Sequence, residues 1–119
     1  MSIPVDLAAL RAQILRFGAN AILVTTSDDG PPHVTSVVVT FSGDNLAMGA
    51  GRRTRANVSQ HPDVALVWTA AIDPDYCLIV DAVVDEPPGE TLVVRPTAAV
   101  LHRLASAPAA LPQCRPLGS

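Results

Sequence analysis

A chain of 119 residues is long enough for one domain and not comfortably for two. With 49% apolar and 16% charged residues it is too hydrophobic to stay disordered, while a net charge of −3 and few aromatic side chains (Phe17, Phe41, Trp68 and Tyr76) argue against a phosphate-backbone footprint or stacked bases, so no nucleic-acid partner is expected. All eight basic side chains are arginine, which excludes a Schiff-base lysine and a Walker-type phosphate lysine.

In chain order, Asp6 reads as an N-cap, and Leu7, Leu10, Ile14 and Phe17 follow at helical spacing with Arg11, Gln13 and Arg16 on the other face. Gly18 supplies the stop. The period then changes to two. Ala21 to Thr26 is apolar and β-branched, Ser27-Asp28-Asp29-Gly30 is a turn, and His33 to Phe41 is a second strand. Ser42-Gly43-Asp44-Asn45 turns the chain into a third, Leu46 to Ala50, which makes an antiparallel meander. Thr54 then caps a short helix that Pro62 terminates. Val64 to Thr69 and Tyr76 to Val84 are strands separated by the Asp73-Pro74-Asp75 turn, and Thr91 to Arg95 is the last. Pro96 suits the first turn of a closing helix through Ala98, Val100 and Leu101 to Leu104. The expected fold is therefore α+β: a six-stranded antiparallel split β-barrel with two or three short helices, one domain over residues 1–104 and a flexible tail over 105–119.

In Val64-Ala65-Leu66-Val67-Trp68 and Cys77-Leu78-Ile79-Val80 both strand faces are apolar, whereas a strand with one face in water should alternate. A homodimer packed sheet against sheet covers such faces; simple exposure of small Ala and Val side chains is the other reading. No apolar run approaches the ~20 residues of a membrane span, and the N-terminus lacks the pattern of a signal peptide, so the expected address is the cytoplasm, with no membrane partner.

The most informative segment for chemistry is Gly49-Ala50-Gly51-Arg52-Arg53-Thr54-Arg55. It sets flexible backbone, three guanidinium groups and a hydroxyl ahead of a helix N-terminus, a combination that suits one small phosphate monoester. A solvated basic turn is the competing reading. On the second strand, alternation puts His33 and Thr35 on one face and Val34 and Ser36 on the other, hydrogen-bonding groups beside an apolar wall that suit a planar heterocycle; two ordinary β-formers behind a strand-edge histidine explain them equally. Asp81 is either a buried charge seeking an arginine or an exposed carboxylate near a turn. Cys77 and Cys114 have no metal or disulfide spacing, His33, His61 and His102 are far apart, and no GxSxG exists, so neither a metal nor a catalytic side chain is expected.

Taken in order, Ala21-Ile22-Leu23-Val24-Thr25-Thr26, Pro32-His33-Val34-Thr35-Ser36-Val37, Gly43-Asp44-Asn45-Leu46, Gly51-Arg52-Arg53-Thr54-Arg55-Ala56-Asn57-Val58 and His61-Pro62-Asp63-Val64-Ala65-Leu66-Val67 resemble the pyridoxamine 5′-phosphate oxidase-like proteins, the FMN-binding split β-barrel superfamily, over about residues 7 to 104. The resemblance implies an FMN-dependent oxidoreductase working as a homodimer, with a small-molecule substrate and an electron donor. It assigns the phosphate to Arg52, Arg53 and Thr54 with Arg55 and Asn57, the ribityl chain and flavin ring to the His33, Val34, Thr35, Ser36 segment, and the far side of the ring to Trp68 and Thr69 of the partner subunit. Two departures stand out. The family's phosphate loop often carries a lysine after the small hydroxyl residue, where this chain offers only Arg55, and the long C-terminal segment of true pyridoxamine phosphate oxidases has no counterpart. Vitamin B6 oxidation is therefore not implied. A deazaflavin cofactor, a non-catalytic flavin- or ligand-binding dimer, and a structural dimer with a decayed site remain open as alternatives.

Overall fold

A computed structural model describes residues 2–69 and 74–107. Its elements in order are β1 (Ser2–Pro4), a single 3₁₀ turn (Leu7–Ala9), α1 (Leu10–Phe17), β2 (Asn20–Thr25), β3 (His33–Val38), β4 (Thr40–Ser42), β5 (Asn45–Gly49), α2 (Arg52–Gln60), β6 (Asp63–Trp68), β7 (Tyr76–Val83) and β8 (Thr91–Arg103). Asp6 Oδ1 accepts from the Ala8 amide, as an N-cap should, and Leu10, Ile14 and Phe17 bury one helical face. Gly18 closes α1 at φ 102°, a backbone region that favours glycine.

The sheet is antiparallel, with spatial order β3-β2-β6-β7-β8-β5-β4 and β1 on the remaining edge of β8. The two ends of that path, β3 and β4, are one stretch of chain interrupted only at Val39. Val37 and Val39 are both buried and Phe41 is half-buried, so the period of two runs on while the chain leaves β2 and takes β5 as its partner. That continuity forces the sheet to curl until its ends meet, giving a barrel that hydrogen bonds do not close. Leu23, Leu66, Trp68, Leu78, Val80, Leu92 and Val94, none with any exposed surface, fill the interior, and α1 covers it.

Two expectations are corrected. There are eight strands among the described residues rather than six, because β1 pairs with β8 from a hundred residues away and the strand expected over His33 to Phe41 divides at Val39. The closing helix does not form: Pro96 to Arg103 continues β8 to 13 residues, paired with β7. Pro96 lacks an N–H to give to a ladder, and it sits at the irregularity where the register shifts between Asp81 and Ala82. Thr97 Oγ1 donates to the Asp81 carbonyl there (3.2 Å), and an available partner strand overrides the helical propensity of Ala98 and Ala99. Asp81 is exposed. Of the expected tail, residues 108–119 lie outside the described residues, as do Asp73 of its turn and Cys114.

The registers collect Ile22 and Val24 of β2, Val34, Ser36 and Val38 of β3, Ala65 and Val67 of β6, and Ile79 of β7 on one outward sheet face. Val34 and Val38 are 59% and 60% exposed, so no described residue covers this largely apolar face, on which the exposed Asp81 of β7 stands opposite Ala65. No helix among the described residues is long and apolar enough to cross a membrane.

Candidate functional site

The glycine-arginine loop and the β2–β3 turn meet at one end of the barrel. Gly51 stands at the N-cap of α2 in extended conformation (φ −75°, ψ 178°) without a side-chain cap. The first helical bond runs from the Arg55 amide to the Gly51 carbonyl (3.0 Å), which leaves the amides of Arg52, Arg53 and Thr54 ahead of it. No acidic residue sits in this first turn, and a Cβ at Gly51 would meet no atom within 4 Å, so the helix end opens onto free space. Unpaired amides and the helix dipole together favour an anion at such an end.

Helical spacing divides the segment's side chains. Thr54, Asn57 and Val58 face the barrel and are buried, whereas Arg52, Arg53 and Ala56 are exposed. Asn57 Nδ2 donates to Thr25 Oγ1 of β2 (3.0 Å) in the interior. His61, just beyond α2, bonds through Nε2 to Asp28 Oδ1 of the turn (2.5 Å). These two ties, neither visible in the sequence, hold the helix against the β2–β3 turn. Replacing Asn57 with alanine leaves the buried Thr25 hydroxyl without its donor and should lower stability by about 1–3 kcal/mol in urea unfolding.

Between helix and turn lies a cavity of about 490 Å³ lined by Ser27, Asp29, Gly30, Pro31, Arg52, Arg53, Ala56 and Asn57, a volume within the usual range for small-molecule sites. The guanidinium groups of Arg52 and Arg53 make no ion pair or side-chain hydrogen bond with other described residues, and against them the lining sets one carboxylate, Asp29. The cavity thus carries an excess of positive charge next to unpaired amides.

The structure brings together some of the expected residues and not others. Arg52, Arg53 and Asn57 line the cavity. Arg55 folds back, its Nη1 donating to the Ala50 carbonyl (3.2 Å), and braces the loop instead of standing in for a lysine. Thr54 is buried, so its hydroxyl does not join Arg52 and Arg53 in the cavity lining. The segment His33 to Ser36 leaves the cavity's Pro31 rim as the edge strand β3, whose outer side presents backbone groups that no strand among the described residues pairs. Along it His33 and Thr35 lie on the barrel side, Val34 and Ser36 on the outward face. Trp68 has no exposed surface in one chain, and its indole Nε1 donates to the Gly18 carbonyl (3.0 Å), which places it in the core. Thr69 is exposed at the far end of β6, whose register with β2 sets it near Asn20, about 15 Å along the strand from the Thr25 end. Thr25, Ser27, Asp28, Pro31 and His61 were missed because only the folded turn carries them to α2. The Asp28-Asp29-Gly30 turn signal was the one hint.

No protein-family model matches the sequence, and no curated protein does. Solved structures do. An F420 reductase is 22% identical with a TM-score of 0.61, the similarity covering 73% of this chain and 93% of that one. A protein from Clostridium acetobutylicum related to general stress protein 26 of B. subtilis, of the pyridoxinephosphate oxidase family, is 9% identical with a TM-score of 0.62, over 83% and 91%. The FAD-binding protein of Mycobacterium smegmatis is 19% identical with a TM-score of 0.59, over 87% and 99%. At these identities what is shared is the fold.

Proposed function

We propose that this chain, which has the split-barrel fold of the pyridoxamine 5′-phosphate oxidase-like proteins, binds a flavin phosphate, FMN first of all, and works as a homodimeric flavin-dependent oxidoreductase on a small-molecule substrate. The observation that carries this reading is the cavity at the open N-terminus of α2, where two unpaired guanidinium groups and the first amides of the helix converge beside the edge of β3. In it Arg52, Arg53 and the amides of Arg52 to Thr54 hold the phosphate. The unpaired backbone of His33 to Ser36 runs along the ribityl chain and the ring, and Thr69 of a second copy is the remaining candidate for the ring's far side. When bound, the flavin supplies the hydride and electron chemistry, and the chain supplies position and charge. Similarity to structures named as FAD-binding and as an F420 reductase supports a flavin-type group. The uncovered face around Ile22, Val34 and Val38 supports the second copy.

Visible absorption after mixing with FMN and desalting tests the cofactor. The unaltered protein should keep the oxidised-flavin bands, and the double variant Arg52→Ala/Arg53→Ala should lose them through an affinity drop of about a hundredfold or more, two charge-assisted contacts being removed. An unaltered protein that stays colourless, or a double variant that stays yellow, sinks the assignment. The F420 reductase similarity favours a second reading, a deazaflavin cofactor in the same cavity. Whichever cofactor is native should raise Tm by about 10 °C at a hundredfold excess over its Kd.

A further inference from the structure

A second cavity, of about 610 Å³, shares no lining residue with the first. It lies between α1 with its preceding 3₁₀ turn, the β4–β5 hairpin, and β8 at Arg95 and Pro96. Leu7, Leu10, Ile14, Phe41 and Pro96 make its walls apolar. Leu7, though a large hydrophobic residue, is 45% exposed.

Two guanidinium groups reach this cavity, and they differ in what already holds them. Arg95 donates to both carboxylate oxygens of Asp85 (Nε at 2.7 Å, Nη2 at 3.3 Å), a bond that holds the Asp85 carboxyl below its ordinary value. Arg11 has no carboxylate partner among the described residues. Its Cζ stands 4.1 Å from the centroid of the Phe41 ring, and among the described residues it makes no hydrogen bond or ion pair. A guanidinium seated over a ring face keeps its in-plane N–H donors available for a bidentate acceptor. Asp44, in the turn of the hairpin that carries Phe41, also lines the cavity and makes no ion pair with Arg11.

We propose that this cavity is a second ligand site, for a small apolar carboxylic acid whose carboxylate is taken by Arg11 and whose aromatic or aliphatic body lies on Phe41, Leu7, Leu10 and Pro96. It goes beyond the flavin reading and does not depend on it. Apolar walls alone would accept any greasy body. Arg11, a cation of the lining with no carboxylate partner among the described residues, selects the acid.

The probe is 2-naphthoate, titrated into the full chain and followed by its own fluorescence, with 2-naphthalenemethanol as the uncharged control. The acid should bind saturably and about tenfold or more tighter than the alcohol, since one charge-assisted contact separates them. Arg11→Met should abolish that preference while the alcohol still binds, and Phe41→Leu should weaken both; Arg11 is exposed, so its variant keeps the fold. Saturating FMN and the Arg52→Ala/Arg53→Ala variant should leave the titration unchanged. Equal binding of acid and alcohol, a preference that survives Arg11→Met, no saturation up to about 1 mM, or loss of binding in the α2 double variant would each overturn the proposal. A protein that takes naphthoate but never FMN would support this site and refute the flavin reading.

Discussion

Trp68→Ala is expected to lower stability by about 3–5 kcal/mol, the cost of truncating a large aromatic side chain in a packed interior. Trp68 has no exposed surface and belongs to the cluster that includes Leu23, Leu66 and Leu78. Its indole N–H also satisfies the Gly18 carbonyl, where the chain leaves α1 at positive φ, so the same side chain fills the barrel and pins the helix that covers it. Against a total of about 5–15 kcal/mol for a domain, the loss should leave the variant close to unfolding in mild urea. Trp68→Phe keeps most of the volume, loses the hydrogen bond, and should fall between the two. Urea unfolding with FMN retention measured in parallel separates the roles. A Trp68→Ala protein that unfolds at the same urea concentration yet no longer holds flavin would restore Trp68 as a ligand contact.

Ile22→Arg is expected to turn a dimer into monomers. Ile22 pairs with Ser36 of β3 on one side and Val67 of β6 on the other, so it stands within the apolar outward face that includes Val34 and Val38. Two copies meeting there about a twofold axis would bury an arginine from each, unpaired, and weaken association by at least about a hundredfold. The residue is 40% exposed in one chain, so far-UV circular dichroism should not change. Sedimentation of both proteins over a range of concentrations decides the matter. An Ile22→Arg protein that still sediments as a dimer removes this face from the assembly, and a monomeric unaltered protein removes the dimer itself. Flavin should dissociate with the partner if Thr69 of the second copy completes the site.

Much of the domain is written locally. Asp6, the 3.6-residue spacing from Leu7 to Phe17, and Gly18 specify α1 and its end through a cap, a stripe and a positive-φ stop, each decided within a few residues. The meander follows from period-two alternation between turn residues, and the loop at Gly51, Arg52 and Arg53 announces arginines beside unsatisfied amides, because the first amides are unsatisfied wherever a helix begins. What stayed hidden depends on partners distant in sequence. Alanines after Pro96 favour a helix in isolation, and only β7 alongside makes them a strand. β1 exists because β8 has an edge free at Val100 to His102. Trp68 could have faced a ligand or the interior, and the curl forced by β3 running on into β4 decided for the interior. Asn57 with Thr25, His61 with Asp28, and Arg11 with Phe41 are likewise pairs that no spacing announces. Local physics within the sequence specifies α1, the meander and the charged loop, while the strand after Pro96, β1 and the joining of segments into a cavity are settled by which surfaces the curled sheet brings face to face.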